Sequence, residues 1–159
     1  MERLGALFHS GGMAEQHPPC PESVPDYLTR FVTATPSVDH LLLFHTDSVA
    51  YAYSASLGME EAEQRSALVG CLHSMANSWG LHHRLGECDS IVCRYSRGPV
   101  VLLQATPALG LGVWVAEGST ITAASSAAQE LLAALDPHLP QHAPDRVGQL
   151  QHLRGALAA

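Results

Sequence analysis

The stretch "SALVGCLHSMANSWGLHH", from Ser66 to His83, is the part of this chain that most constrains its fold. It holds a cysteine, a tryptophan and three of the ten histidines. It lies within a predicted helix from about Met59 to Leu81. This composition suits either a metal or catalytic site, or a helix that packs against something, and the spacing of its residues separates the two.

One side of this helix is apolar. At about 100° per residue, seven residues fall in a single arc: Leu68, Val69, Cys71, Leu72, Met75, Ala76 and Trp79. An arc of this kind is typical of a face that covers a sheet. We therefore expect it to pack in the core, with Cys71 and Trp79 serving as buried hydrophobes.

Small residues recur at every fourth position on the back of the helix: Ala62, Ser66, Gly70, Ser74 and Ser78. An exposed helical face usually carries Glu, Lys, Arg or Gln, and Gly70 costs about 1 kcal/mol relative to Ala. A ridge of small side chains lets a second helix approach closely, so the pattern predicts a helix–helix contact. The alternative is a solvent-facing side that tolerates Ser and Gly.

Metal and enzyme motifs are absent from the sequence. His73, His82 and His83 lack the i, i+4 spacing of a zinc helix, and Cys88 and Cys93 are not a CxxC pair. There is no Gly-x-Ser-x-Gly and no GxxxxGK[ST], and Gly110 and Gly112 fall inside a predicted strand. We expect no metal, no cofactor and no enzymatic activity.

The rest of the chain predicts the element order α-ββ-α-βββ-α. A first helix begins near Pro25 and is ended by Pro36; strands follow over 39–46 and 49–56, and after the middle helix over 89–96, 99–106 and 111–117. A last helix is capped by Ser119 or Thr120 and ends before Pro137. Because "VVLLQA" is apolar on both sides, helices must cover both faces. The sequence predicts an α+β fold with a five-stranded antiparallel sheet.

Three regions are expected along the chain. Residues 1–23 read as a flexible leader, 24–136 as the folded domain and 137–159 as a tail. The tail carries a weak amphipathic pattern that predicts a helix, formed by Val147, Leu150, Leu153 and Leu157.

Composition restricts the class of partner. A net charge of −7 with eight Lys and Arg residues argues against nucleic acid. No apolar run approaches the roughly 20 residues of a membrane span, and the start shows no signal-peptide pattern. The four cysteines are therefore expected to be free thiols in the cytoplasm. Charged residues are 14% of the chain, which favours a surface buried against another protein.

The segment "YLTRFVTATPSVDHLLLFHTDSVAYAYSASLGMEEAEQRSALVGCLHSMANSW", followed by "IVCRYSRGPVVLLQATPALGLGVWV", resembles the roadblock / dynein light chain family, especially its actinobacterial members. The likeness spans about Pro25 to Leu135. It rests on the order of Pro36-Ser37-Val38, Asp47-Ser48, Ser54 and Arg97-Gly98. The chain departs from the family where Ser48 replaces the usual turn glycine and where Pro99 follows the Arg-Gly pair.

The resemblance implies a noncatalytic protein that forms homodimers or heterodimers and serves as an adaptor or regulator of a small Ras-like GTPase. In bacteria it implies a signalling role, with a histidine-kinase-like protein as a further partner. It implies pairing of the edge strand that follows the middle helix with its mate, and packing of the two middle helices. The expected interface is Ala62, Ser66, Gly70, Ser74 and Ser78 with Ile91, Cys93 and Tyr95. Similar regulators use a C-terminal helical tail on their partner, which extends the expectation to Val147 through Leu157.

Two rival interpretations remain open. One is a PAS- or profilin-like ligand-binding sensor, with Tyr51, Tyr53, Trp79 and Trp114 lining a pocket between sheet and helix. Against it stands the reading that these aromatic side chains fill the core. The other rival is a small chaperone or secretion adaptor.

Overall fold

A computed structural model describes residues 22–142 of the chain. Its helices are α1 (Val24–Ala34), α2 (Met59–His82) and α3 (Ile121–Leu135), and its strands are β1 (Val38–His45), β2 (Ala50–Tyr53), β3 (Ser90–Tyr95), β4 (Gly98–Thr106) and β5 (Leu109–Val115). A single 3-10 turn, Asp136–His138, follows α3. The predicted order α-ββ-α-βββ-α is confirmed.

The five strands form one antiparallel sheet in the order β2-β1-β5-β4-β3. The three central strands, β1, β5 and β4, are covered on both faces, which is why their sequences are apolar at successive positions. Leu41, Leu42, Leu43 and Phe44 of β1 are all fully buried. The predicted α+β fold with a five-stranded antiparallel sheet is confirmed.

The sheet separates two hydrophobic clusters. On one face, α1 packs on β1 and β2, and α3 packs on β4 and β5. Leu28, Leu131 and Leu135 belong there to one cluster with Leu41 and Leu43. On the other face lies α2, and the alternate residues of β1 and β4 meet it in a smaller cluster of Leu42, Phe44, Leu57, Ala62, Val69 and Leu102. The period of two along β1 assigns its side chains to the two layers.

The first and last helices begin at the residues that local chemistry favours. Ser23 caps α1, and its hydroxyl accepts a hydrogen bond from the backbone N–H of Asp26. Thr120 caps α3 in the same way through the N–H of Ala123 at 3.1 Å. A capping oxygen binds a backbone N–H that has no partner within the helix, so residues such as Ser and Thr mark the beginning of a helix in the sequence.

The middle helix approaches the β1–β2 turn very closely. A Cβ placed on Gly70 would lie 2.3 Å from the Oγ and 2.6 Å from the Cα of Ser48. Ser48 occupies the turn with a φ of 73°, the left-handed region where glycine is the usual residue. Gly70 is therefore required by the contact between α2 and this turn.

Candidate interaction surface

Helix α2 buries mostly small residues and exposes most of its large apolar ones. Ala62, Ser66, Val69, Gly70, His73 and Gly80 are the buried residues of the helix. Facing away from the sheet are Leu68, Leu72, Met75 and Trp79, which are 69%, 38%, 69% and 66% exposed, together with the exposed Cys71. We call these five residues the α2 apolar face. A contiguous apolar strip on one helix face is typical of a protein–protein contact.

This arrangement corrects the sequence-based assignment of the two sides of the helix. The prediction that Cys71, Leu68, Leu72, Met75 and Trp79 cover the sheet is wrong, and so is the placement of Ala62, Ser66 and Gly70 on the back. The small residues do allow a close approach, but they approach the sheet and the β1–β2 turn of the same chain and not a second helix. Ser74 and Ser78, the last two residues of the ridge, are exposed.

Strand β3 forms one edge of the sheet, beside the α2 apolar face. Among the described residues it pairs with β4 and with no other strand, so one row of its backbone groups lacks a strand partner. Ile91 packs against the cluster under α2, and Cys93 and Tyr95 line the same side of the sheet. The edge therefore presents backbone hydrogen-bonding groups and apolar side chains next to the exposed helix face.

A groove of about 490 Å³ separates α2 from the β3–β4–β5 half of the sheet. Its apolar wall includes Leu68 and Leu72 of α2, Leu102 of β4 and Trp114 of β5. Glycine at position 112 makes room for the Trp114 ring, because a Cβ there would lie 2.9 Å from Cζ3 of that ring. We call this space the α2–β4 groove.

One end of the groove is polar. The Arg65 guanidinium lies 4.6 Å from the centroid of the Trp114 ring and forms an ion pair with Glu61 one helical turn earlier. His40 and Asp39 from the start of β1 line the same groove. Burial, and secondarily the positive charge of Arg65, lower the pKa of His40 below its ordinary value of 6.5.

Replacing Arg65 by Gln is expected to raise the pKa of His40, because it removes a positive charge that disfavours the imidazolium. The pKa is measured by NMR titration of the His40 ring, with Arg30→Gln, on α1 at the other face of the sheet, as the control that leaves it unchanged. The pKa of His40 is lower in the folded chain than its ordinary value of 6.5, so the unfolded chain takes up the proton first as the pH falls. The free energy of unfolding that this group contributes is therefore lost as the pH drops through 6.5. An unchanged His40 pKa in R65Q would show that the charge of Arg65 does not contribute to it.

A buried polar network joins α2 to β4 and to the loop that follows the helix. The Nε2 of His73 lies 2.6 Å from the Oε1 of Gln104, and the side-chain oxygen of Asn77 accepts a hydrogen bond from the N–H of Cys88 at 2.9 Å. His73 is thus a satisfied core histidine. Within residues 22–142, no group of three or more His, Cys, Asp and Glu side chains is placed to hold a metal ion.

The four aromatic residues of the sensor hypothesis do not meet in one pocket. Trp114 lines the α2–β4 groove, whereas Trp79 lies on the α2 apolar face and contacts His83, with ring centroids 4.6 Å apart and the ring planes tilted by 40°. Tyr51 packs edge-on against His45, whose ring centroid is 5.4 Å away.

The predicted tail residues Val147, Leu150, Leu153 and Leu157 lie outside the described residues. No helix of the described part has the length and apolar character to cross a membrane.

Comparison with known proteins identifies the fold. No protein-family model matches the sequence, and no curated protein matches it significantly. Among solved structures, a Roadblock/LC7 domain from Streptomyces avermitilis superposes with a TM-score of 0.67 at 16% identity, covering 74% of this chain and 98% of that one. Myxococcus xanthus MglB gives 0.61 at 6% identity, covering 70% and 89%.

Acanthamoeba castellanii profilin IA gives a TM-score of 0.52 at 15% identity, covering 71% of this chain and 96% of its own. The chain therefore has the α+β fold shared by roadblock/LC7 domains and profilins, as the sequence resemblance implied. Its neighbours include both roadblock/LC7 domains and MglB.

Proposed function

We propose that this chain is a roadblock-type adaptor: a noncatalytic cytoplasmic homodimer that binds and regulates a small Ras-like GTPase in bacterial signalling. The observation that carries the proposal is the α2 apolar face lying beside the open edge of β3. An isolated chain would hold Leu68, Met75 and Trp79 in water, at a cost of about 25 cal/mol for each Å² of apolar surface. A second copy that covers helix and edge together removes that cost.

The spacing of residues on α2 favours an antiparallel pair of helices. About a twofold axis between His73 and Ser74, Leu68 faces Trp79 of the second copy, and Leu72 faces its Met75. In the antiparallel orientation the dipoles of the two helices oppose each other, which favours it over the parallel one.

Strand β3 supplies the second part of the proposed interface. Pairing of two β3 edges joins the two sheets and satisfies the backbone groups that each edge exposes. Ile91, Cys93 and Tyr95 then contribute from the sheet, and Ser74 and Ser78 from the flank of α2. Ala62, Ser66 and Gly70 leave the proposed interface, because the chain's own sheet already covers them.

The GTPase part of the proposal rests on the family resemblance and on the fold. The test is co-expression with the small Ras-like GTPase encoded nearest to this chain, followed by light scattering of the complex loaded with GDP or with a nonhydrolysable GTP analogue. We expect a complex containing two copies of this chain that forms preferentially with one of the two nucleotides. Failure to form a complex in either state, with the dimer intact, would remove the GTPase from the proposal.

The proposed docking of the tail is tested in the same assay. Deleting residues 140–159 is expected to weaken GTPase binding or change GTP turnover while the dimer persists. Unchanged affinity and turnover would end that part of the proposal. A histidine-kinase-like protein as a further partner is a separate proposal, and its capture by the assembled complex is the observation that would support it.

A further inference from the structure

The polar groups that connect α2 to β4 and to the loop of residues 83–89 form hydrogen bonds of fixed direction. We call them the His73 network: the side chains of His73, Asn77 and Gln104 and the backbone N–H of Cys88. The Nε2 of Gln104 donates to the backbone carbonyl of Thr106. The Oε1 of Gln104 therefore faces His73 and accepts a hydrogen bond from the Nε2–H of that ring, across 2.6 Å.

The other nitrogen of the His73 ring can only accept. The backbone N–H of Cys88 donates to the Oδ1 of Asn77 at 2.9 Å, so the Nδ2 of Asn77 is the atom turned toward the ring. This Nδ2 lies 3.4 Å from both ring nitrogens, and of the two only Nδ1 has a free lone pair. The network therefore requires neutral His73 with its proton on Nε2.

A second proton on His73 finds no acceptor in this network. The proton belongs on Nδ1, where it points at the NH₂ group of Asn77, donor against donor. Asn77 can offer its oxygen to the ring only by losing the hydrogen bond from Cys88. A buried donor without an acceptor is unfavourable, and His73 is 3% exposed. Protonation thus makes the ring and the loop compete for one oxygen atom.

No carboxylate stabilises a charged His73 ring within residues 22–142. The ionisable groups next to the residues that surround it are His45 and Asp47 at the β1–β2 turn, Glu87, Cys88 and Asp89 in the loop, and Cys71 on α2. Strands β4 and β5 carry no ionisable group, and none of the described carboxylates forms an ion pair with His73. On the side of β1, the ring meets the edge of the apolar Phe44 ring at 5.9 Å.

We propose that the His73 network is a pH-sensitive switch, in which protonation of His73 breaks the hydrogen bond between Cys88 and Asn77 and loosens the loop that leads into β3. Strand β3 begins at Ser90, two positions after Cys88, so the loosened loop adjoins the open edge of the sheet. The switch lies within one chain and does not depend on the adaptor function. Only its effect on assembly rests on the proposed function.

The test is hydrogen exchange at the backbone amide of Cys88, followed by NMR. The result is expressed as a protection factor, which removes the pH dependence of exchange in an unprotected amide. We expect the protection of Cys88 to fall between about pH 8 and about pH 5, the range in which histidine ordinarily changes its charge. The expected fall is about tenfold, the effect of losing one hydrogen bond. It should exceed any fall at Leu43, in the buried strand β1.

Three variants assign the response to the network. His73→Gln keeps an N–H that can donate to Gln104 but does not titrate, so the protection of Cys88 should no longer depend on pH. In Asn77→Asp one carboxylate oxygen still accepts from Cys88 and the other accepts from the protonated ring, so the protection should rise as the pH falls. His82→Gln changes an exposed histidine of the same helix and should respond as the parent does. Circular dichroism confirms that each variant is folded.

Several outcomes overturn the switch. They are a constant protection of Cys88 in the parent, an equal fall in H73Q, an equal fall in N77D, or equal losses at Cys88 and Leu43, which report global unfolding. The measurement is repeated in Met75→Arg, which is designed to separate the copies, and the same fall is expected there. A response confined to the assembled protein contradicts a switch within one chain. The two proposals fail separately, because mass reports assembly and exchange at Cys88 reports the network.

Discussion

Replacing Met75 by Arg is expected to convert the proposed dimer, of twice 16.9 kDa, into monomers. In the proposed antiparallel pair, Met75 lies close to the twofold axis, so one substitution places two guanidinium groups in the contact. A charge buried at such a contact without a partner is strongly unfavourable. The measurement is size-exclusion chromatography with light scattering at several concentrations of the unaltered and substituted chains.

The matched control for this variant is Gln129→Arg. Gln129 is exposed on α3, which lies on the other face of the sheet, so the same charge is added away from the proposed interface. We expect Q129R to keep the mass of the parent. A parent that is monomeric at every concentration contradicts the dimer, and a dimeric M75R places the contact elsewhere than on the α2 apolar face.

Replacing Gly70 by Ala is expected to destabilise the fold by about 1–3 kcal/mol, as overpacking of a close contact does. On a solvent-exposed helix the same change would stabilise by about 1 kcal/mol, because Ala has the higher helix propensity. The two readings of α2 thus predict opposite signs. The free energy of unfolding, measured by urea denaturation at one fixed protein concentration, separates them. The larger Gly70→Arg change is expected to prevent folding.

Two further variants define the cause of the Gly70 effect. Ser74→Ala changes the next residue of the same ridge, which is exposed, and should stabilise slightly, by up to about 0.5 kcal/mol. Ser48→Gly removes the Oγ and Cβ that face Gly70 and suits the left-handed turn, so it should relieve part of the G70A cost. The relief is partial because the Cα of Ser48 stays 2.6 Å from the added methyl group. A stabilising G70A would show that α2 does not approach the turn.

The element order was predictable because its signals are local. Thr120 caps α3 through its hydroxyl, and Pro36 follows the end of α1. The continuous apolar run in β1 is typical of a strand that is buried on both faces of a sheet. Ser48 stands in the β1–β2 turn where the roadblock family usually has glycine, and it adopts the positive φ that this position requires. Each of these depends on residues within a few positions of one another.

The groove and the polar network could not be read in the same way. Arg65 and Trp114 are 49 positions apart, and His73 meets Gln104 across 31 positions. Neither pair has a spacing that identifies it, because the contact is set by how α2 crosses the sheet. Trp114 was a candidate pocket residue from its size alone, whereas Arg65 carried no signal apart from its charge.

The sequence by itself determined the order of the elements, the antiparallel sheet and the two distinct faces of α2. Only the tertiary structure decided which of those faces meets the sheet. A helical wheel shows that one face is large and apolar and the other small, but neither face carries a charge, so either can be buried. The small face packs on the sheet because the β1–β2 turn lies too close to α2 for any side chain at position 70. The large face is left outward, where the contact that covers it belongs to another molecule in our proposal.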